Sequence, residues 1–73
     1  MRRLDELRPG ESATIAHVGG DGTVKRRLID MGLTPEVAVR VIKVAPLGDP
    51  IEISIRGYDL AIRKDDAVHI QII

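Results

Sequence analysis

The sequence predicts a mostly β fold: a small five-stranded barrel with one short α-helix between the first and second strands. Three observations carry this expectation. A two-residue hydrophobic period recurs along the chain, clearest where Ile51, Ile53 and Ile55 alternate with Glu52, Ser54 and Arg56. A helical period appears once, in Val24, Leu28 and Met31 at i, i+4 and i+7. The strands are short, and five short antiparallel strands bury a common face only by curling on themselves, which also limits exposed edges.

The chain has 73 residues and reads as one domain, 1–73. A domain of this size buries only roughly 60 % of the surface that its unfolded chain exposes. It has no cysteine to staple it, which is compatible with a reducing compartment. Repeated Val and Ile must therefore supply the core.

The elements follow in order. Leu4-Asp5-Glu6-Leu7 clamps two acids between apolar residues and reads as one helical turn, with Asp5 as its cap. Pro9-Gly10 has the signature of a type II turn. Ser12 to Val18 reads as the first strand, with Ala13 and Ile15 on one face and Ala16 and Val18 on the other. Gly19-Gly20-Asp21-Gly22 is a loop. Its glycines do not cradle a phosphate: no Gly-Lys-Ser/Thr follows, and the spacing matches neither a P-loop nor a dinucleotide fingerprint.

Thr23 to Met31 is the helix, with Asp21 as N-cap. Gly32 suits the left-handed position past its end, and Pro35 cannot continue it. A helix of this length is unstable alone and must dock. From Val37 the second strand begins: Val37, Val39 and Val41 share a face, while Ile42 and Val44 lie on the side of Arg40. The loop Ala45–Pro50 leads to the Ile51–Ile55 strand. Arg56-Gly57-Tyr58-Asp59 is a tight turn before Leu60 and Ile62, and Lys64–Ala67 is another, a single 3₁₀ turn. Val68, Ile70 and Ile72 then alternate with His69 and Gln71. The meander from Val37 onward resembles an SH3-like barrel, with the last strand closing against the first.

Composition excludes several functions. Eleven Lys and Arg balance eleven Asp and Glu, and Tyr58 is the only aromatic residue. A general nucleic-acid binder needs a basic surplus and, for single strands, aromatic platforms. No run of 18 apolar residues is present to span a membrane, and the basic start MRRLDELRPG has no apolar stretch of a secretory signal. The expectation is a cytoplasmic protein without direct membrane insertion.

Enzyme chemistry finds little support. The nucleophile candidates are thin, Ser12, Ser54, Thr14, Thr23 and Thr34, and Ser54 lies on the outward face of its strand with no histidine near it in sequence. His17 and His69 approach each other if the first and last strands pair, and a metal site would then need further ligands such as Asp65 or Asp66. The plainer reading is two outward-facing strand histidines. No catalytic residue, metal site or required cofactor is assigned, and any binding of a divalent transition metal such as iron is expected to be weak.

Lys25-Arg26-Arg27 is the densest charge run. On a helix the three fan over about 200°. The plain reading is a solvated helix face. The alternative is a docking surface, because Ile29 lies off the buried stripe and Leu33 and Leu47 fall in loops. Lys25, Arg26, Arg27, Ile29, Leu33, Leu47 and Tyr58 are therefore the candidate partner-binding residues. Weak homo-oligomerisation would also account for the stray aliphatics.

The segments DGTVKRRLIDMGLTPE, APLGDPIEI, RGYDLAIRKDDA and HIQI, with the opening LDELRPGES, resemble the ferrous iron transport protein A (FeoA) family. The resemblance covers nearly the whole chain, and the order and spacing of the segments make it specific. It implies an SH3-like barrel with a helix after the first strand. It also implies a non-enzymatic cytoplasmic accessory to ferrous iron uptake, held near the inner membrane by its partner. That partner would be FeoB, a membrane transporter carrying a cytosolic GTPase domain. Arg26 or Arg27 would be the candidates for an arginine finger if such a protein activated the GTPase. One departure is visible: Glu36 stands where the family often has Gly. Glu avoids positive φ more than Gly does, so the approach to the second strand is expected to differ locally. The same barrel occurs as a C-terminal domain of iron- and manganese-dependent repressors, which makes a repressor-associated regulatory domain the alternative. Met1 directly before the first element favours a stand-alone chain.

Overall fold

In the computed structural model, residues 2–73 are described. Met1, on which the stand-alone expectation rests, lies outside them. The chain forms β1 (Arg2–Arg3), a 3₁₀ turn (Leu4–Glu6), β2 (Ser12–Val18), α1 (Gly22–Asp30), β3 (Ala38–Val44), β4 (Ile51–Ile55), β5 (Tyr58–Ile62), α2 (Lys64–Ala67) and β6 (Ile70–Ile72). All strand pairs are antiparallel, in the order β1-β6-β2-β3-β4-β5.

Three parts of the expected architecture change. The helix lies between the second and third strands, because the short β1 precedes them, and it is joined by a second, α2. The strand count and closure also differ. There are six strands rather than five among the described residues, because Arg2 and Arg3 pair with Ile72 and Gln71. Two arginines carry no hydrophobic alternation, so this strand exists only through its partner. The sheet is also open: β1 and β5 are its edges and do not pair with each other. It curls without closing. The curl passes through β2, whose first residues pair with β3 (Ala13 with Val39) and whose last residues pair with β6 (Val18 with Ile70). A strand that changes partners along its length makes a corner.

Irregularities explain the soft patterns in the sequence. The β2–β6 register shifts between Ile15 and His17. One extra residue inverts the face of everything after it. Ile15 and Val18 therefore both point inward and are buried, although they are three apart. A second shift between Val41 and Lys43 does the same in β3. Val41 is buried, Val44 packs against the core and Ile42 is left outside. Ile51, Ile53 and Ile55 form the middle of the core as expected, joined by Val39, Ile62, Ile70 and Ile72.

Several boundaries move. Asp5 does not cap the first turn; Glu6 accepts a 2.6 Å hydrogen bond from the Arg3 N–H, and Asp5 pairs with the Arg3 guanidinium. The helix runs one residue earlier than expected, and Met31 is its C-cap. Val37 precedes β3 rather than opening it, because Glu36 turns the chain at φ 75°. Tyr58 and Asp59 belong to β5, so the turn is only Arg56-Gly57. Both of its residues have positive φ, the geometry that matches the twist of a two-residue hairpin. Lys64–Ala67 is a turn of α-helix rather than 3₁₀. Val68 and His69 lie in the turn before β6 and not in a strand.

Candidate functional site

Helix α1 starts as its sequence dictates. The Asp21 carboxylate accepts from the Val24 N–H at 2.9 Å, satisfying one of the free donors of the first turn. Only Leu28 of the helix is fully buried. Val24 and Met31 pack at the edge of the core. One narrow stripe holds the helix down, and the rest of its circumference faces outward.

Lys25, Arg26 and Ile29 share that outer side, where with Gly22 they line a shallow hollow of about 320 Å³. Ile29 is 39 % exposed. Neither Lys25 nor Arg26 forms an ion pair among the described residues. An apolar side chain between two uncommitted cations suits an acidic and apolar partner surface.

The other candidates are placed differently. Arg27 donates to the Asp66 carboxylate and so ties α1 to α2. An arginine already held by a half-buried aspartate is poorly placed to act as a finger. Leu33 is fully buried and packs in the core, which removes it from any contact surface. Its place in an irregular segment gave it a solvent-facing look, but its N–H donates to Leu28 O and folds it under the helix. Leu47 is 96 % exposed at the tip of the Ala45–Pro50 loop. Its neighbours Ala45 and Pro46, with Val44, Pro50 and Ala61, line a mostly apolar hollow of about 350 Å³ to which α1 contributes nothing. Leu47 therefore stands apart from the α1 surface. Tyr58 is half-exposed, and its hydroxyl donates to Met31 O at 2.8 Å, bracing the last turn of α1.

The histidines belong to no ligand set among the described residues. His17 is opposite Gln71, and the Gly19 N–H donates to His69 O at 2.8 Å. His17 and the His69 carbonyl thus lie on either side of Gly19 in the chain pairing. Among the described residues no group of three or more His, Cys, Asp or Glu is placed to hold a metal ion. Asp66 points to Arg27 instead. Its role was hidden in the sequence because 39 residues separate the pair.

A strongly curled antiparallel sheet of this size, with a helix inserted after its long first hairpin strand, defines the class of small SH3-like domains. The chain matches the FeoA domain family over residues 2–73, and it belongs to that family. It is 36 % identical over 70 residues to a Porphyromonas gingivalis protein described as an Fe(2+) transport protein A/Fe(2+) transporter FeoB fusion protein. That match covers 96 % of this chain but only 8 % of the much longer relative. Among solved structures, an FeoA-like protein from Clostridium acetobutylicum is 30 % identical with a TM-score of 0.91, covering 97 % of this chain and 83 % of that one. A zinc complex of FeoA from Stenotrophomonas maltophilia, described as a prokaryotic SH3 domain protein, has a TM-score of 0.85 at 23 % identity and covers 100 % of this chain and 91 % of that one. That likeness, and one to a manganese-dependent transcriptional repressor at 20 % identity and a TM-score of 0.90, covering 99 % of this chain and 40 % of that one, concern the fold alone. No helix of the described residues is long and apolar enough to cross a membrane.

Proposed function

We propose that this FeoA domain is a non-catalytic accessory of ferrous iron uptake that works by contact with the cytoplasmic part of an FeoB transporter. The observation that carries the proposal is the fusion in the P. gingivalis relative, where an FeoA region and an FeoB transporter share one chain. Covalent linkage raises the effective concentration of two parts that act together. The contact we assign is the outer side of α1, with Lys25 and Arg26 steering and Ile29 as the apolar anchor. Neutral overall charge argues for a local patch rather than a general polyanion surface. On this reading the protein is cytoplasmic, reaches the inner membrane through its partner and requires no cofactor.

The repressor alternative has support only at the level of fold, and no side chain of this chain favours it. Isothermal titration of the purified chain against the cytosolic part of an FeoB tests the proposal. Binding is expected, with Arg26→Glu and Ile29→Asp each weakening it by roughly tenfold or more while the melting temperature holds. Absence of binding removes FeoB as partner; binding that both variants leave unchanged removes α1 as the surface.

A further inference from the structure

β5 is a free edge of the sheet, and the hydrogen-bond pattern identifies which of its groups are unpaired. The Val41 N–H donates to Glu11 O at 3.0 Å, and Val41 O accepts from the Gly10 N–H at 2.7 Å, so Val41 faces the β2 side. Successive residues of an antiparallel ladder turn their backbone groups to opposite sides. Arg40 therefore faces Ser54 across β3–β4, while Ile53 and Ile55 face Leu60 and Tyr58 across β4–β5. The two-residue Arg56-Gly57 hairpin, closed by Ile55 and Tyr58, requires the same assignment. Asp59 and Ala61 are left with N–H and C=O directed away from the sheet, and both residues are exposed.

The surroundings of this edge are shaped and charged. Beside it lies a hollow of about 410 Å³ lined by Arg27 of α1, its C-cap Met31, Asp66 of α2, and Ala61, Ile62 and Arg63. Ala61 also lines the apolar hollow with Pro46 and Pro50, on the outer face of the sheet. Lys43, Glu52 and Ala61 are in register across β3, β4 and β5, so that hollow opens onto the edge. The cations along the edge, Arg56, Arg63 and Lys64, form no ion pair among the described residues. Asp59 is the only acid of the strand.

We propose that the β5 edge takes up an extended acidic segment of a partner protein as a seventh strand. Main-chain bonds to Asp59 and Ala61 supply affinity, an apolar side chain of the segment enters the hollow beside Ala61, and acidic ones meet Arg63 and Arg56. This surface is separate from the Lys25–Arg26–Ile29 side of α1 and does not depend on FeoB being the partner.

The test uses the ¹⁵N-labelled full chain with a blocked synthetic peptide of alternating Val and Glu, and its Val/Lys counterpart. The expected result is amide shift changes centred on β5 with the Glu peptide only. Slowed hydrogen exchange at Asp59 and Ala61 should accompany them. Ala61→Pro removes an outward N–H that the sheet does not use, and is expected to weaken binding roughly tenfold or more. Arg63→Glu, which leaves the backbone untouched, is expected to do the same should the proline variant lose its fold. Equal binding of the two peptides, shifts centred on α1, or an unchanged response in Arg63→Glu overturns the proposal. So does protection of Asp59 and Ala61 that rises with protein concentration without peptide, because the edge would then belong to a second copy of the chain.

Discussion

Helix α1 and the irregular segment that follows it, residues 31–37, are attached to the molecule in opposite ways. The helix is regular and capped, yet it buries one residue, Leu28. The segment has no repeating structure, yet it buries Leu33 and Val37 and exchanges hydrogen bonds with β2: the Glu36 N–H donates to Ile15 O at 2.7 Å and the Ile15 N–H to Val37 O at 2.9 Å. Tyr58 adds a bond to Met31 O. Regularity and anchoring are thus separate properties. The irregular stretch is the structural post, and the helix is the part left free to meet something else.

The largest expected effect tests that contrast directly. Leu33→Ala should cost about 2–5 kcal/mol, as for other fully buried leucines, while Ile29→Ala should cost under about 1 kcal/mol. Denaturant melts of the two variants give the comparison, and equal costs would end it. Next comes Gly32→Ala. Gly32 has φ 95°, where a Cβ is strained, and that Cβ would lie 2.7 Å from the Tyr58 hydroxyl. A loss of about 1–2 kcal/mol is expected in thermal unfolding. Because the crowded atom is the tip of a side chain, most of the loss should persist in a Tyr58→Phe background.

Tyr58→Phe alone removes one hydrogen bond and should cost about 0.5–1.5 kcal/mol. Its exchange signature is sharper than its stability effect: amides in the last turn of α1 should exchange faster than those of β4. Glu36→Gly works in the opposite direction. Glu36 is exposed and held at φ 75°, so relieving the left-handed strain should stabilise by up to about 1 kcal/mol. A variant that is less stable than the parent would show that the Glu36 side chain contributes something the geometry does not reveal. The smallest effect belongs to Arg26→Glu, within about 0.5 kcal/mol of the parent, since Arg26 is exposed and forms no ion pair among the described residues.

Much of the fold was legible, and the reasons are local. Ile51, Ile53 and Ile55 announce a half-buried strand because alternation maps directly onto the pleat. Asp21 announces a cap because its carboxylate reaches only as far as its own helix. The failures are also local in origin. One-residue bulges at Ala16 and Ile42 break parity, so β2 and β3 looked apolar on both sides. Leu33 looked like a loop residue because nothing in its neighbours states that the segment folds under α1. Of the candidate surface, Lys25, Arg26 and Ile29 were found together as expected, since helical spacing alone puts them on one side. Leu47 and Tyr58 were not joined to them, because that requires knowing where two hairpins end.

What the sequence by itself determined was membership of the FeoA family, the order of the main elements and the division of α1 into a held stripe and a free side. These depend on spacing over a few residues and on motif order. What only the tertiary structure decided was the sixth strand, the open edge at β5, the burial of Leu33 and the Arg27–Asp66 link. The sixth strand and the ion pair join groups far apart in the chain, the edge is set by which strands find partners, and Leu33 is buried by the core it folds into. All are properties of the folded sheet rather than of any segment alone.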